Sequence, residues 1–240
     1  MHIIKNSKLQ HLDLPVFNCD ELLGKKIPPP FPNQCFFMII VGKPRSGKSS
    51  LAISLLQTKK PRVYRKIFDN IITCIPPASV RSLRKNPFKD LAPGHVKAEL
   101  SEGTVADVIE TAKEYAEEGD QTLFFIDDQS AYLKSKEVQV LLRDAVNNRR
   151  HYHLSIMLLS QNLLSIPLDV RKSVTHAIMF KCPFREWDVF CNEYLDAFDN
   201  EERRELYNFV FDRDHNFIFV DLASGEVYKK FDQIVFDNDS

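Results

Sequence analysis

The chain has 240 residues, 44% of them hydrophobic and 27% charged, which is typical of a globular protein with one α/β domain and a well-buried core. The net charge of −1 excludes nucleic-acid binding through overall charge, so such binding requires a local basic patch. No stretch approaches the roughly 18 to 20 continuous apolar residues that a membrane span needs.

The start of the chain and its cysteines predict an intracellular protein. Residues 1–7 lack the apolar block of a secretory signal. Five cysteines are scattered along the chain without C-x-x-C spacing, which is typical of reduced thiols. We therefore expect neither a disulfide framework nor a zinc site.

Residues 1–34 are predicted to form an N-terminal arm. They end in the proline-rich segment 27–32, which can be neither a helix nor a central strand. We expect the arm to pack over the core or over a neighbouring subunit. Residues 35–240 form the second predicted unit, which contains all the motifs described below.

The segment 42–49, GKPRSGKS, fits the phosphate-binding pattern G-x-x-x-x-G-K-[ST]. The apolar run 36–41 before it predicts a strand, and residues 47–59 predict a helix, which is the context this motif requires. Its glycines let the backbone fold around a phosphate chain, and the N–H groups and the helix start face the anion. The sequence therefore predicts a nucleotide-binding site.

Phosphate binding is assigned to this whole loop and to the first residue after it. Lys48 is expected to reach the β- and γ-phosphates, and the Ser49 hydroxyl is expected to bind Mg²⁺. The assigned residues are Gly42, Lys43, Pro44, Arg45, Ser46, Gly47, Lys48, Ser49 and Ser50.

Strands and helices alternate along the chain, which favours a mainly parallel sheet flanked by helices. Four further strands are predicted at 70–75, 122–126, 154–159 and 177–180. Helices are predicted at 104–118, 136–147, 184–198 and 200–211. The segments 216–221 and 227–229 flank a turn and predict a C-terminal β-hairpin.

The third predicted strand runs directly into two acids, Asp127 and Asp128. Because ligands bind at the carboxyl edge of such sheets, both carboxylates are expected to face the phosphate loop. Asp127 is expected to bind Mg²⁺ beside Ser49, and Asp128 is expected to polarise the attacking water. Nucleotide kinases and switch GTPases do not need the second acid in this role, so the pair favours a hydrolytic motor.

The fourth predicted strand ends in polar residues at positions 160–162. An amide at this strand tip can contact the γ-phosphate or the attacking water. Gln161 is the first choice for this role and Asn162 the second. A simple cap of the strand end is the alternative.

Arg149 and Arg150 precede this fourth strand. An arginine beside a nucleotide can neutralise charge on the transferring phosphoryl group, often from a neighbouring subunit. Because adjacent side chains point in different directions, only one of the two is expected to serve. A solvated turn is the alternative interpretation.

In the order and spacing of these motifs, residues 36–180 resemble the genome-packaging ATPases of large nucleocytoplasmic DNA viruses, the poxvirus-type branch of the FtsK–HerA superfamily. The resemblance implies a P-loop fold of the ASCE/RecA-like type, with the five predicted strands in the order 5-1-4-3-2. It implies ATP and Mg²⁺ as ligands, and Gln161 as a sensor of the γ-phosphate. It also implies that Arg149 or Arg150 acts as a catalytic arginine in trans, in the active site of a neighbouring subunit. Asp128 stands where this family frequently has a glutamate.

The preferred hypothesis is an ATP-hydrolysing translocase that packages viral double-stranded DNA into a capsid. The resemblance implies a homo-oligomeric ring of five or six subunits, acting in the host cytoplasm or viral factory, with the virion as a second location and a capsid or membrane component as a further partner. The basic stretch 81–89 is the candidate for loops that grip DNA, although a solvated surface loop has the same composition. Two other classes stay open, a nucleoside or nucleotide kinase and an ATP-binding switch without turnover.

Overall fold

A computed structural model describes residues 27–82 and 87–235, with the side chains of 80–82 left out. The strands in these residues are β1 (Phe37–Val41), β2 (Asn70–Cys74), β3 (Val96–Lys97), β4 (Thr122–Asp127), β5 (Leu154–Ser160), β6 (His176–Phe180), β7 (Phe217–Asp221), β8 (Val227–Lys229) and β9 (Asp232–Gln233). The α-helices are α1 (Lys48–Gln57), α2 (Pro77–Ser82), α3 (Glu102–Glu117), α4 (Lys136–Asn147), α5 (Leu168–Arg171), α6 (Phe184–Tyr194) and α7 (Asn200–Val210).

The described strands form one sheet in the order β3-β2-β4-β5-β1-β6-β7-β8-β9. The six strands from β3 to β6 are parallel, and β7, β8 and β9 are antiparallel to their neighbours. The five strands predicted from the sequence are β1, β2, β4, β5 and β6, and they lie in the predicted order 5-1-4-3-2. The α/β fold with a mainly parallel sheet is therefore confirmed.

The sheet differs from the prediction in detail at both edges. At one edge β3 adds a strand of only two residues, too short to leave a periodic signal in the sequence. At the other edge the predicted hairpin extends the main sheet, because β7 pairs with β6 along its whole length. β9 then adds a further short strand after the hairpin.

β1 is the central strand and is buried on both faces. Phe37, Ile39 and Val41 face a core built with α3, α4 and α6, whereas Met38 and Ile40 face a second core built with α1. This alternation follows the two-residue period of a strand. A strand that is covered on both faces has apolar residues at every position, and this continuous apolar run in the sequence is what predicted β1.

Two helices, α1 and α6, end at least two residues before their predicted ends. α1 ends at Gln57 because Thr58 adopts an extended backbone, with φ −62° and ψ 133°. α6 ends at Tyr194 because Leu195 leaves the helical region, with φ −139° and ψ 43°. The short helix α2 was not predicted from the sequence.

The described end of the predicted arm packs against the loop after α1 and the turn between β8 and β9. The Tyr64 hydroxyl donates a hydrogen bond of 2.9 Å to the carbonyl of Pro32. The Phe31 ring lies 4.6 Å from the ring of Phe231, measured between centroids. Residues 1–26 of the arm lie outside the described residues, as do residues 83–86 of the basic stretch. None of the helices in residues 27–82 and 87–235 is both long and apolar enough to cross a bilayer.

Candidate active site

The phosphate loop connects β1 to α1, and its first turn is very tight. The Gly42 N–H donates a hydrogen bond of 3.1 Å to the carbonyl of Ser160, the last residue of β5. A Cβ atom at Gly42 would lie 2.6 Å from Ser46 Oγ and 2.8 Å from Phe180 Cβ. Both distances are shorter than real Cβ contacts, so the loop can close on itself only with glycine at this position.

The second half of the loop opens α1 toward an anion. Gly47 is the N-cap of α1, with φ 107°, and no side chain caps the helix start. Arg45 also lies in the left-handed region, with φ 66°. The free N–H groups at this helix start and the positive end of the helix dipole favour a phosphate. Ser46 Oγ is buried without a hydrogen-bond partner among the described residues, which also fits a polar ligand in the loop.

Lys48 is folded back over the loop. Its Nζ donates a hydrogen bond of 3.3 Å to the carbonyl of Lys43, and the side chain is buried. Burial lowers the pKa of Lys48 below its ordinary value, and the negative charges of Asp127 and Asp128 partly oppose this shift. The ammonium group thus lies between the loop and the two acids, where it can neutralise phosphate charge.

Ser49 and Asp127 meet although 78 residues separate them in the sequence. The Ser49 hydroxyl donates a hydrogen bond of 2.7 Å to Oδ2 of Asp127, the last residue of β4. Burial raises the pKa of Asp127, while the Ser49 hydrogen bond and the Lys48 charge oppose the shift. A hydroxyl and a carboxylate are hard oxygen donors, so this pair fits Mg²⁺, which binds through few protein ligands and keeps several waters.

Asp128 follows directly and turns toward the end of the neighbouring strand. Its backbone is left-handed, with φ 58°, a conformation that aspartate adopts more readily than most residues. Its Oδ1 accepts a hydrogen bond of 2.9 Å from Nε2 of Gln161. Both side chains are exposed, so water can reach the carboxylate.

One cavity of about 360 Å³ brings the loop, the two acids and Gln161 together. The predicted site residues that line it are Pro44, Arg45, Lys48, Ser49, Asp127, Asp128 and Gln161. These residues come from the loop with the start of α1 and from the carboxyl ends of β4 and β5, which the parallel sheet places side by side.

The segment that follows Gln161 is fixed by contacts that the sequence analysis missed. The Leu163 N–H donates a hydrogen bond of 2.6 Å to Oε1 of the buried Glu186. Nη1 of the buried Arg171 donates hydrogen bonds of 3.1 Å to the carbonyls of Leu163 and Ile166. Glu186 and Arg171 therefore position this segment, and no local pattern in the sequence marks either residue.

Asn162, the second choice for the sensor, has a different contact. Its Oδ1 accepts a hydrogen bond of 2.7 Å from the N–H of Leu164 and caps the 3₁₀ turn Leu163–Ser165. The amide of Asn162 thus satisfies a backbone group of its own segment. Of the two candidates, Gln161 is the one that lines the cavity with the acids.

Neither predicted arginine reaches the phosphate loop of its own chain. Both precede β5, so they lie at the amino edge of the sheet, about 20 Å of strand from the carboxyl edge. Arg149 is half-buried, and its Nε and Nη1 donate hydrogen bonds of 2.8 Å and 2.7 Å to the carbonyls of Cys35 and Val146. Burial lowers the pKa of Arg149. Arg150 is exposed on the surface.

Solved structures with a similar fold include two viral proteins. The DNA-packaging ATPase B204 from Sulfolobus turreted icosahedral virus gives a TM-score of 0.61 at 18% identity, covering 84% of this chain and 99% of that chain. The genome-packaging NTPase B204 from Sulfolobus turreted icosahedral virus 2, in complex with ATP-γS, gives 0.61 at 17% identity, covering 84% and 98%.

A third similar structure is a conjugation protein. The pCW3 conjugation coupling protein TcpA, with ATP-γS, gives a TM-score of 0.52 at 12% identity, covering 87% of this chain and 64% of that chain. At such identities these likenesses show the fold alone, which is that of a P-loop NTPase.

The comparison with curated proteins gives no match. The family model described as Poxvirus A32 protein matches residues 31–193, which is more than half of the chain. This range includes the phosphate loop, both acids and Gln161. The chain therefore belongs to the Poxvirus A32 protein family, which confirms its resemblance to the poxvirus-type genome-packaging ATPases.

Proposed function

We propose that this chain is the ATPase motor that moves viral double-stranded DNA into a capsid. The observation that carries the proposal is the 2.7 Å contact between Ser49 and Asp127, with Asp128 and Gln161 paired beside it in the same cavity. The fold shared with B204, a DNA-packaging ATPase of another virus, supports the coupling of this site to DNA.

The loop and Lys48 hold the triphosphate in this proposal. The N–H groups at the start of α1 and the ammonium of Lys48 neutralise its oxygens, and little reorganisation is needed because the loop is already closed. Ser49 and Asp127 would hold Mg²⁺, which when bound supplies positive charge to the β- and γ-phosphates. Bound Mg²⁺ favours the charged form of Asp127 and so opposes the effect of burial on its pKa.

Asp128 and Gln161 act on the attacking water. The exposed carboxylate of Asp128 accepts a proton from water as the water oxygen bonds to the γ-phosphorus and the bond to the β-phosphate oxygen breaks. The Gln161 amide donates a hydrogen bond of 2.9 Å to this carboxylate, and its second N–H can donate to the water or to the γ-phosphate.

Phosphate release with and without duplex DNA tests the proposed function. We expect the purified protein to release phosphate from ATP and to do so faster when duplex DNA is added. Lys48→Ala, which removes the loop ammonium, should abolish both rates. Phosphate transfer to a nucleoside without release would support the kinase alternative, and tight ATP binding without turnover would support the switch. Either result would contradict the motor.

We further propose a ring of identical subunits in which Arg150 completes the site of its neighbour. Arg149 already donates to two backbone carbonyls and joins the start of β1 to the end of α4. Moving its guanidinium to a neighbouring nucleotide would leave those acceptors without this donor. Arg150 is exposed next to it, on the surface that a neighbouring subunit can approach.

Replacing Arg150 with Ala is expected to lower ATP turnover by about 10³-fold, since a trans arginine contributes at least this much. Mixing Arg150→Ala subunits with Lys48→Ala subunits should restore activity, because an intact loop then meets an intact arginine at some interfaces. Turnover is measured over a series of mixing ratios. As a comparison, Arg149→Ala should mainly lower the unfolding free energy, by about 1–3 kcal/mol. Absence of rescue at every ratio would contradict a role in trans.

The location of the protein, its partners and its contacts with DNA are further proposals. We place the protein in the host cytoplasm or viral factory during packaging, and in the virion as a second location, with a capsid or membrane component as partner. The basic stretch 81–89 is proposed to contact DNA phosphates, and its residues 83–86 lie outside the described part of the chain.

A further inference from the structure

We propose that a second cavity, on the other side of the phosphate loop, binds the base and ribose of the nucleotide, and that the base stacks on His215. This inference rests on the proposed function, because the base and the ribose belong to the ATP whose phosphates the loop is proposed to bind. His215 lies between α7 and β7, in a segment to which the sequence motifs assign no role.

The second cavity has a volume of about 540 Å³, within the usual range for small-ligand sites. Arg45, Lys48 and Ser49 line both this cavity and the one that contains the acids. The phosphate loop therefore separates two spaces and contributes to each. Beyond the loop, the second cavity is lined by Phe180 and Phe217.

The position of the acids sets the direction of a bound nucleotide. The γ-phosphate must face Asp127, Asp128 and Gln161, because only that side offers the carboxylates for metal and water. The α-phosphate, the ribose and the base must then leave the loop on the opposite side. The cavity at Phe180 and Phe217 is the space into which they extend.

The walls of this cavity suit an aromatic base. Phe180 and Phe217 are buried, with ring centroids 5.2 Å apart, and form an apolar floor. His215 is exposed, and its ring is held by a contact of 2.9 Å between Nδ1 and the carbonyl of Ser46. Bases stack on aromatic and histidine rings through their π faces, and a ring already fixed in place loses little entropy on binding.

Gly47 supports the same conclusion. A Cβ atom at this position would lie 3.6 Å from His215 Nδ1 and 3.6 Å from Phe180 Cε1. A side chain at position 47 would therefore fill the space between the loop and the wall of the cavity. Glycine leaves this space open next to the first turn of α1.

Binding of two ligands to the wild type and to one His215 variant tests the inference. The ligands are a non-hydrolysable ATP analogue and inorganic tripolyphosphate, each titrated calorimetrically with Mg²⁺ present. His215→Asn removes the ring but keeps a residue that tolerates the left-handed backbone found here, with φ 62°.

We expect His215→Asn to bind the ATP analogue about tenfold more weakly, as loss of one stacked base predicts, and to bind tripolyphosphate like the wild type. An equal loss for both ligands would overturn the inference, because His215 would then act through the loop. Unchanged analogue affinity in His215→Asn would overturn it too.

The wild-type protein separates this inference from the proposed function. Equal affinity for tripolyphosphate and the ATP analogue would overturn the base site and leave the phosphate loop in place. Binding of neither ligand would overturn the proposed function itself.

Discussion

Replacing Asp128 with Asn is expected to lower ATP turnover by about 10²- to 10⁴-fold, the usual contribution of a general base. The substitution changes little else. Asparagine has the same size, tolerates the left-handed backbone of Asp128, and can still accept a hydrogen bond from Gln161. Steady-state phosphate release gives the turnover number, and titration with a non-hydrolysable analogue gives the affinity, which we expect to change little.

A matched control separates the role of this carboxylate from the loss of one negative charge. Asp232→Asn makes the same change at an exposed position of β9, far along the sheet from the phosphate loop. It should leave turnover and affinity unchanged. Hydrolysis by Asp128→Asn at close to the wild-type rate would show that another group receives the proton.

Replacing Gly42 with Ala is expected to weaken nucleotide binding by about 10- to 100-fold, which corresponds to the usual cost of overpacking. The added Cβ would lie 2.6 Å from Ser46 Oγ and 2.8 Å from Phe180 Cβ. The second contact is to an atom fixed on buried β6, so the loop itself has to shift and its N–H groups lose their common direction. Equilibrium titration with a non-hydrolysable ATP analogue measures the effect.

Gly103→Ala provides the comparison for this substitution. Gly103 lies in the first turn of α3, and a Cβ there meets nothing within 4 Å. The same chemical change should leave nucleotide affinity unaltered and, because alanine favours helices, stabilise α3 slightly. Wild-type affinity in Gly42→Ala would mean that the loop does not need its tight first turn to bind phosphate.

The elements that could be predicted from the sequence are those with local signals. Buried β1 appears as an apolar run, the loop as a fixed glycine–lysine pattern, and the acids as the end of a second apolar run. The boundaries of α4 match the prediction because Ser135 caps its start and its apolar spacing is regular. The order of the five main strands came from the resemblance to a family, since hydrophobic patterns contain no information on which strands pair.

The features that escaped prediction depend on contacts between distant residues. β3 exists only through its pairing with β2, which two residues cannot signal in advance. Arg171 and Glu186 position the segment after Gln161 through hydrogen bonds to its backbone groups. Because every residue type offers such groups, no pattern of side chains signals these contacts. His215 meets the loop across 169 residues of sequence.

The two arginines illustrate the same limit. Arg149 and Arg150 are adjacent and of the same residue type, so the sequence does not show which of them would act at a nucleotide. The carbonyl of Cys35, which accepts from Arg149, is 114 residues away in the chain. Only the fold therefore distinguishes a residue that joins two elements from one that is exposed beside it.

A structure determined with a non-hydrolysable ATP analogue and Mg²⁺ tests the central claim most directly. We predict that the triphosphate lies in the loop at Gly42 to Ser49, with the metal between Ser49 and Asp127 and with Asp128 and Gln161 facing the γ-phosphate. A nucleotide bound elsewhere, or acids turned away from the phosphates, would contradict the account.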